Sequence, residues 1–254
     1  MVKSWFCIEF NSIWLSEILS KKKIAVITGA SQGIGRAISV KLASKGYITV
    51  LAGRNEENLR KTAEFVSQVN DNYQVSITDV TSEVDVEALF KEIEELGELA
   101  ILINNAGVGT FKAVENITLE EWEDMLDVNL TGAFLTTREA VKVMKKNRSG
   151  HIIFINSLSG KRALSWGSGY SATKYGLKGF ADTVRIELRK SNVKVTSIFP
   201  GSVDSSWWDS FDFDFPRDQM LDEQNVVEAI YAAISQEGRS VIEEIDIRQV
   251  GGDF

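Results

Sequence analysis

From Lys21 onward, short runs of apolar residues alternate with longer segments of helical periodicity. No other property of the chain narrows its folding so far. Residues 24–28, 48–52, 74–78, 100–104, 152–156, 193–199 and 241–247 read as strands. Between them lie expected helices from the turn after 28 to about 45, then over 55–69, 84–96, 119–146, 170–190 and 226–234. Strands that are apolar on both faces and separated by helices imply a parallel sheet covered on each side. Right-handed crossovers then wind the chain outward in two halves. The expected fold class is α/β: a Rossmann-type, doubly wound parallel sheet of about seven strands with helices on both faces.

The 254 residues allow one large domain or two small ones. With 44% hydrophobic and 25% charged residues, the chain can bury a sizeable core. No Pro-, Gly- or Ser-rich linker and no repeat divides it, so residues 21–254 are expected to form one domain. Residues 1–20 are read as an N-terminal extension. Its apolar patches are interrupted by Glu9 and Glu17, too soon for a signal-peptide core or a membrane span. Phe10, Trp14 and Ile18 suit a short amphipathic helix, but a start assigned upstream of Lys21 is the plainer reading, and no function is assigned to the segment.

A formal net charge of −8 without a basic stripe argues against nucleic acid as a partner, and no membrane association is expected. The single cysteine, Cys7, cannot form a disulfide within the chain and fits a reducing, cytoplasmic setting. One Cys and one His cannot build a Cys/His zinc site, so no metal is expected. A serine hydrolase would have to use His151, the only histidine, as its base.

The first strand runs into Thr28-Gly29-Ala30-Ser31-Gln32-Gly33-Ile34-Gly35 and then a helix. Glycines permit the backbone angles of such a turn and let main chain approach a pyrophosphate closely. The helix that follows aims its free N–H groups and positive dipole end at the phosphates. A lone glycine motif also occurs as a tight turn without a ligand; its position at the first strand-to-helix junction is what gives it weight. At the end of the second strand, Val50-Leu51-Ala52-Gly53-Arg54-Asn55 lacks the acid that holds a ribose 2′-hydroxyl in NAD sites. Arg54 can instead meet a 2′-phosphate, with Ser31 adding a hydrogen bond. NADP(H) is therefore favoured over NAD(H), the plain alternative being that Arg54 is an ordinary surface residue.

Tyr170 and Lys174 lie four apart on an expected helix and so share a face. A tyrosine titrates near pH ~10 when unperturbed, and a neighbouring ammonium group or nicotinamide cation favours its phenolate. A phenol tuned in that way suits carbonyl reduction, which leaves an alkoxide in need of a proton. Taken alone, a tyrosine and lysine at this spacing are most often a surface pair. Ser157 stands at the end of the fifth strand, where ligands bind in such sheets. Its hydroxyl can hold the substrate oxygen, or it can simply cap a turn, and Ser159 is its rival by position.

With these residues in view, the chain resembles the short-chain dehydrogenase/reductase family in its short single-domain form, close to the 3-oxoacyl-carrier-protein reductases. The resemblance runs from about Lys21 to Gly201 and more loosely to the C-terminus. Gly29, Gly33 and Gly35 match the family's glycine motif, with Ser31, Gln32 and Ile34 between them. Asp79-Val80 matches the pair that contacts adenine, Asn104-Asn105-Ala106-Gly107 the N-N-A-G loop, and Pro200-Gly201, with Val203 beyond, the turn beside the nicotinamide. Asn129, Ser157, Tyr170 and Lys174 match the catalytic tetrad, and Ser157 keeps the family's spacing to Gly160 and Tyr170. The resemblance implies hydride transfer between nicotinamide C4 and a small-molecule carbonyl or alcohol. In it Tyr170 is the general acid, Ser157 orients the carbonyl, Lys174 binds the nicotinamide ribose and lowers the tyrosine pKa, and Asn129 anchors a proton-relay water. It also implies a homodimer or homotetramer built on the 170–190 helix and the long helix before it. The C-terminal ending differs from those that complete a tetramer, so the dimer is preferred. His151, on the same strand as Ser157, is read as a strand-end side chain rather than a base.

The segment after Gly201 is dense in aromatics: Trp207, Trp208, Phe211, Phe213 and Phe215. One reading is a lid whose Trp207, Trp208 and Phe211 wall an apolar substrate. The other is packing on the domain or on a second subunit. A non-catalytic NADP-binding sensor or scaffold is the rival function, disfavoured because it has no need of Tyr170. A sugar-nucleotide epimerase or dehydratase would carry a longer C-terminal region and a different glycine spacing.

Overall fold

The computed structural model describes residues 22–210 and 216–252. The readings made for residues 1–20 and for Phe211, Phe213 and Phe215 lie outside the described residues. Seven strands form one sheet: β1 (Lys23–Thr28), β2 (Ile48–Gly53), β3 (Tyr73–Ile77), β4 (Glu98–Asn104), β5 (His151–Ile155), β6 (Lys194–Pro200) and β7 (Glu244–Ile247). Their spatial order is β3-β2-β1-β4-β5-β6-β7, and every neighbouring pair is parallel. The order reverses at β1 and β4, which opens a crevice at the C-terminal ends of these strands.

Among the described residues, seven α-helices complete the layers: α1 (Gly33–Ser44), α2 (Glu56–Ser67), α3 (Glu83–Leu96), α4 (Leu119–Leu126), α5 (Gly132–Asn147), α6 (Ser168–Leu188) and α7 (Glu223–Ile234). The apolar strands explain the two-sided core. Successive side chains point to opposite faces, so Ile24 and Val26 enter one cluster while Ala25 and Ile27 enter the other. The first cluster is closed by α3, α5 and α6 through Leu89, Met144 and Leu177, the second by α1, α2 and α7 through Ile38, Leu59 and Ile230. Each such fully buried aliphatic side chain contributes roughly 1.5–3 kcal/mol.

Two expectations need correction. The helix expected over 119–146 is broken by a π-turn, Asp127–Thr131. The extra residue of that turn accompanies a buried Asn129, whose amide bonds outside the helix. The last strand begins at Glu244 rather than 241, and the carbonyl of Ile242 takes the Thr196 hydroxyl instead of a ladder partner. Other boundaries move by one to three residues, the ordinary scatter of helix and strand ends. Among the described residues no helix is long and apolar enough to cross a membrane.

Candidate active site

The C-terminal ends of the strands frame a cleft of about 560 Å³. One end is set by the turn between β1 and α1. Gly29 and Gly33 have φ of +63° and +58°, backbone that favours glycine. Gly35 answers a different need, because a Cβ there would lie 2.2 Å from the Gly29 carbonyl oxygen. It does not line the cleft; it lets α1 pack onto the turn. Arg36 holds the turn from behind, donating to the Ser31 carbonyl and to Thr62, whose hydroxyl donates to the Ala30 carbonyl.

The turn is also tied to the loop after β4. Thr28 Oγ1 accepts from the main-chain N–H groups of Asn105 and Ala106, at 3.0 and 3.1 Å. The Asn105 amide donates to the carbonyls of Thr28 and Gly29, both at 3.0 Å. The Asn105 side chain is thus spent on bracing the turn. Beneath the loop, buried Asn104 bonds to Thr136 and Thr137 of α5.

Whether this end suits a phosphate-bearing cofactor is tested by the donors left over. Asn55, Ser82, Thr118 and Asp222 cap α2, α3, α4 and α7 with their side chains. At α1 the preceding Gln32 makes no side-chain cap, and no acid stands in the first turn. Its first N–H groups therefore face the cleft as donors. Arg54 is exposed at the cleft's rim and has no hydrogen bond or ion pair among the described residues. These donors fit an anionic dinucleotide. Asp79 accepts from the Thr81 main chain and hydroxyl through one carboxylate oxygen, and Val80 is buried against Gly132. One group opposes an anion: Glu223 approaches Gly33, and burial lifts its pKa while Arg36 lowers it.

At the other end stand Ser157, Tyr170 and Lys174. Ser157 follows β5 and lines the cleft with Tyr170, and its hydroxyl accepts from the Ser159 N–H. Asn156 links these elements, accepting from the Ser157 N–H and donating to the Lys174 carbonyl. Gly160 makes that junction close, since a Cβ there would meet Asn156 Oδ1 at 2.5 Å and the Lys174 carbonyl at 2.8 Å. Lys174 is buried, its Nζ donates to the Ile155 carbonyl at 3.1 Å, and burial pulls its pKa down to about 8.

Tyr170 is half-buried beside these groups. Burial pushes its phenol up to about 12, with the neighbouring Ser157 hydroxyl pulling the other way. The Lys174 Nζ sits 5.5 Å from the ring centre and is turned to the Ile155 carbonyl. Asn129 also sits behind the site: its Oδ1 accepts from Val108 N–H, and its Nδ2 donates to the Val108 carbonyl and to Thr173 Oγ1.

The remaining wall is aromatic. Trp207 and Trp208, in a short 3₁₀ turn after Val203, pack with Phe111 and Tyr170. The tryptophans thus pack within the domain and also line the cleft. Phe111 and Gly109 escaped the sequence reading, although both follow Gly107 in the same strand-end loop. Pro200, Gly201 and Val203 line the cleft, as do Ala106 and Gly107. His151 does not: it is buried at the opposite end of β5, bonded to Thr196, with its pKa down to about 3. It cannot serve Ser157 as a base.

A parallel sheet of this order, with an open helix N-terminus at one end of the cleft and half-buried Ser157 and Tyr170 beside buried Lys174 at the other, defines a nucleotide-dependent oxidoreductase class. The family described as short chain dehydrogenase matches residues 23–212, and the chain belongs to it. An uncharacterized oxidoreductase of Staphylococcus aureus (strain MW2) is 39% identical over 230 residues, covering 90% of this chain and 97% of the relative. Among solved structures, an alcohol dehydrogenase from the archaeon Thermococcus sibiricus, complexed with 5-hydroxy-NADP, is 31% identical with a TM-score of 0.81, covering 90% of this chain and 97% of that one. A metagenomic short-chain oxidoreductase in complex with NADP is 29% identical with a TM-score of 0.79 over the same shares.

Proposed function

We propose that this chain is a cytoplasmic, NADP(H)-dependent oxidoreductase that reduces a small-molecule carbonyl to an alcohol, or runs the reverse, with Tyr170 as general acid/base. The observation that carries the reading is that Ser157, Tyr170 and buried Lys174 line one end of the cleft that α1 faces with uncapped N–H groups. The NADP(H) complexes of two similar structures support the cofactor. Gly29, Ser31, Gln32, Gly33 and Ile34 hold the pyrophosphate, Arg54 the 2′-phosphate, Asp79 and Val80 the adenine, and Asn105, Ala106, Gly107, Lys174, Pro200, Gly201 and Val203 the nicotinamide half.

The reduced cofactor, when bound, supplies hydride to the carbonyl carbon. Ser157 holds the carbonyl oxygen, and Tyr170 delivers a proton to it as negative charge gathers there. A phenol held up to about 12 stays protonated at neutral pH, as a donor must. Asn129 fixes the Val108 loop and Thr173, and so the first turns of α6 beneath Tyr170. Residues 21–254 act as one domain. Exposed Phe134, Tyr175 and Ile186 on α5 and α6 provide the apolar face for a second copy, in a homodimer or homotetramer.

The test is consumption of NADPH and of NADH by the purified protein against a panel of ketones and aldehydes. Turnover is expected, with NADPH preferred by about tenfold or more from the charge-assisted contact to Arg54. Tight NADPH binding with no turnover on any carbonyl would instead establish a sensor.

A further inference from the structure

The substrate end of the cleft differs in kind from the rest of its lining. Phe111 lies 5.5 Å from Tyr170 and 5.8 Å from Trp207, ring centre to ring centre, and Trp207 lies 6.0 Å from Tyr170. Trp208 backs this wall, 4.9 Å from Trp207, and its Nε1 donates to the Val203 carbonyl at 2.8 Å. Leu164 adds an aliphatic side chain. Trp207 reaches Tyr170 because residue 109 is glycine: a Cβ there would lie 2.8 Å from the Trp207 indole and 3.1 Å from the Tyr170 ring.

Among the described residues the one charged side chain lining this end is Lys174. The charged residues lining the cleft are Arg54, Asp79 and Lys174. The first two follow β2 and β3, beside the phosphate turn, and the Lys174 amine is already bonded to the Ile155 carbonyl. A carboxylate or phosphate on a substituent lying between the rings of Phe111 and Trp207 would lose its water there with no cation in the ring walls, which is costly. A flat apolar group would instead stack against rings.

We propose that the substrate is an uncharged carbonyl compound with a flat apolar substituent, and that Trp207 is the side chain that selects it. This rests on the reading that Tyr170 serves a carbonyl bound in the same cleft. Trp207 forms one wall of the substituent's pocket, Phe111 the adjoining wall, and Gly109 keeps Trp207 in place.

The experiment compares acetophenone with 4-acetylbenzoate, which adds one negative charge. With wild type and NADPH, kcat/KM should favour acetophenone by about 100-fold, the scale of an unpaired buried charge. Trp207→Ala should raise the acetophenone KM by about tenfold, the scale of a lost ring contact and its burial, while the Kd for NADPH measured by calorimetry stays unchanged. Trp207→Phe should keep most of the preference, and Gly109→Ala should act like Trp207→Ala by displacing the indole. Should Trp207→Ala fail to fold, the other two variants carry the test. Equal kcat/KM for the two ketones, or an acetophenone KM unmoved in Trp207→Ala and Gly109→Ala, overturns the proposal. Acetophenone binding to Tyr170→Phe loaded with NADP, measured by calorimetry, separates this claim from the catalytic one. Binding weakened by Trp207→Ala in that background upholds the pocket even if turnover by Tyr170→Phe removes the acid. No binding there overturns it.

Discussion

The two ends of the cleft are built by different physical means. At the phosphate turn, main chain meets main chain: Gly29, Gly35, Thr28 and Asn105 fix carbonyls and N–H groups at spacings that leave no room for a methyl group. At the substrate wall, four rings from segments far apart in the chain lean on one another. The first kind of construction is intolerant of added volume. The second can change size and still close, because ring contacts are graded and non-directional.

The largest expected effect breaks the first construction. Gly35→Val places carbon 2.2 Å from the Gly29 carbonyl oxygen, so α1 must leave the turn. We expect a loss of about 3 kcal/mol or more by urea unfolding, in the range of severe overpacking, together with loss of measurable NADPH binding. A near-wild-type unfolding midpoint would show that the turn yields as easily as the aromatic wall.

Lys174 lies where the two ends meet, and its contribution depends on pH. Its native pKa, about 8, is below the unfolded value of 10.5. Between those values the unfolded chain binds the extra proton, so stability rises with pH across that window. The burial penalty is largest below about pH 8, on the order of 3 kcal/mol from the size of the shift. Lys174→Met should therefore gain most on wild type at pH 7 and lose that advantage towards pH 10. A stability difference between the two proteins that stays constant with pH contradicts the buried, proton-shedding amine.

A smaller effect sharpens the comparison from the cofactor side. Arg54→Ala should weaken NADPH binding by about 10- to 100-fold, the worth of a charge-assisted hydrogen bond, and leave NADH nearly unchanged. Ketone KM values should hold level in this variant. Equal losses for both cofactors would place Arg54 outside the 2′-phosphate site.

The same contrast explains what could be read from the chain alone. The sheet was legible because parallel strands are apolar on both faces, and the glycine turn because steric demands fix its spacing. Ser157, Tyr170 and Lys174 stood at helix and strand-end spacings that place them together. The π-turn at Asp127–Thr131 was not legible, since its cause is the bonding of Asn129 to Val108 and Thr173, contacts with no mark in local periodicity. Phe111 and Gly109 were missed for a related reason: their role depends on where Trp207 lies, about a hundred residues away.

The most direct test of the account follows a single turnover of NADPH with acetophenone by Tyr170→Phe and wild type, with NADPH affinity measured alongside. The account predicts an unchanged Kd for NADPH and a rate lower by about 100- to 10,000-fold, the range of a lost general acid. A Tyr170→Phe rate equal to that of wild type would contradict it.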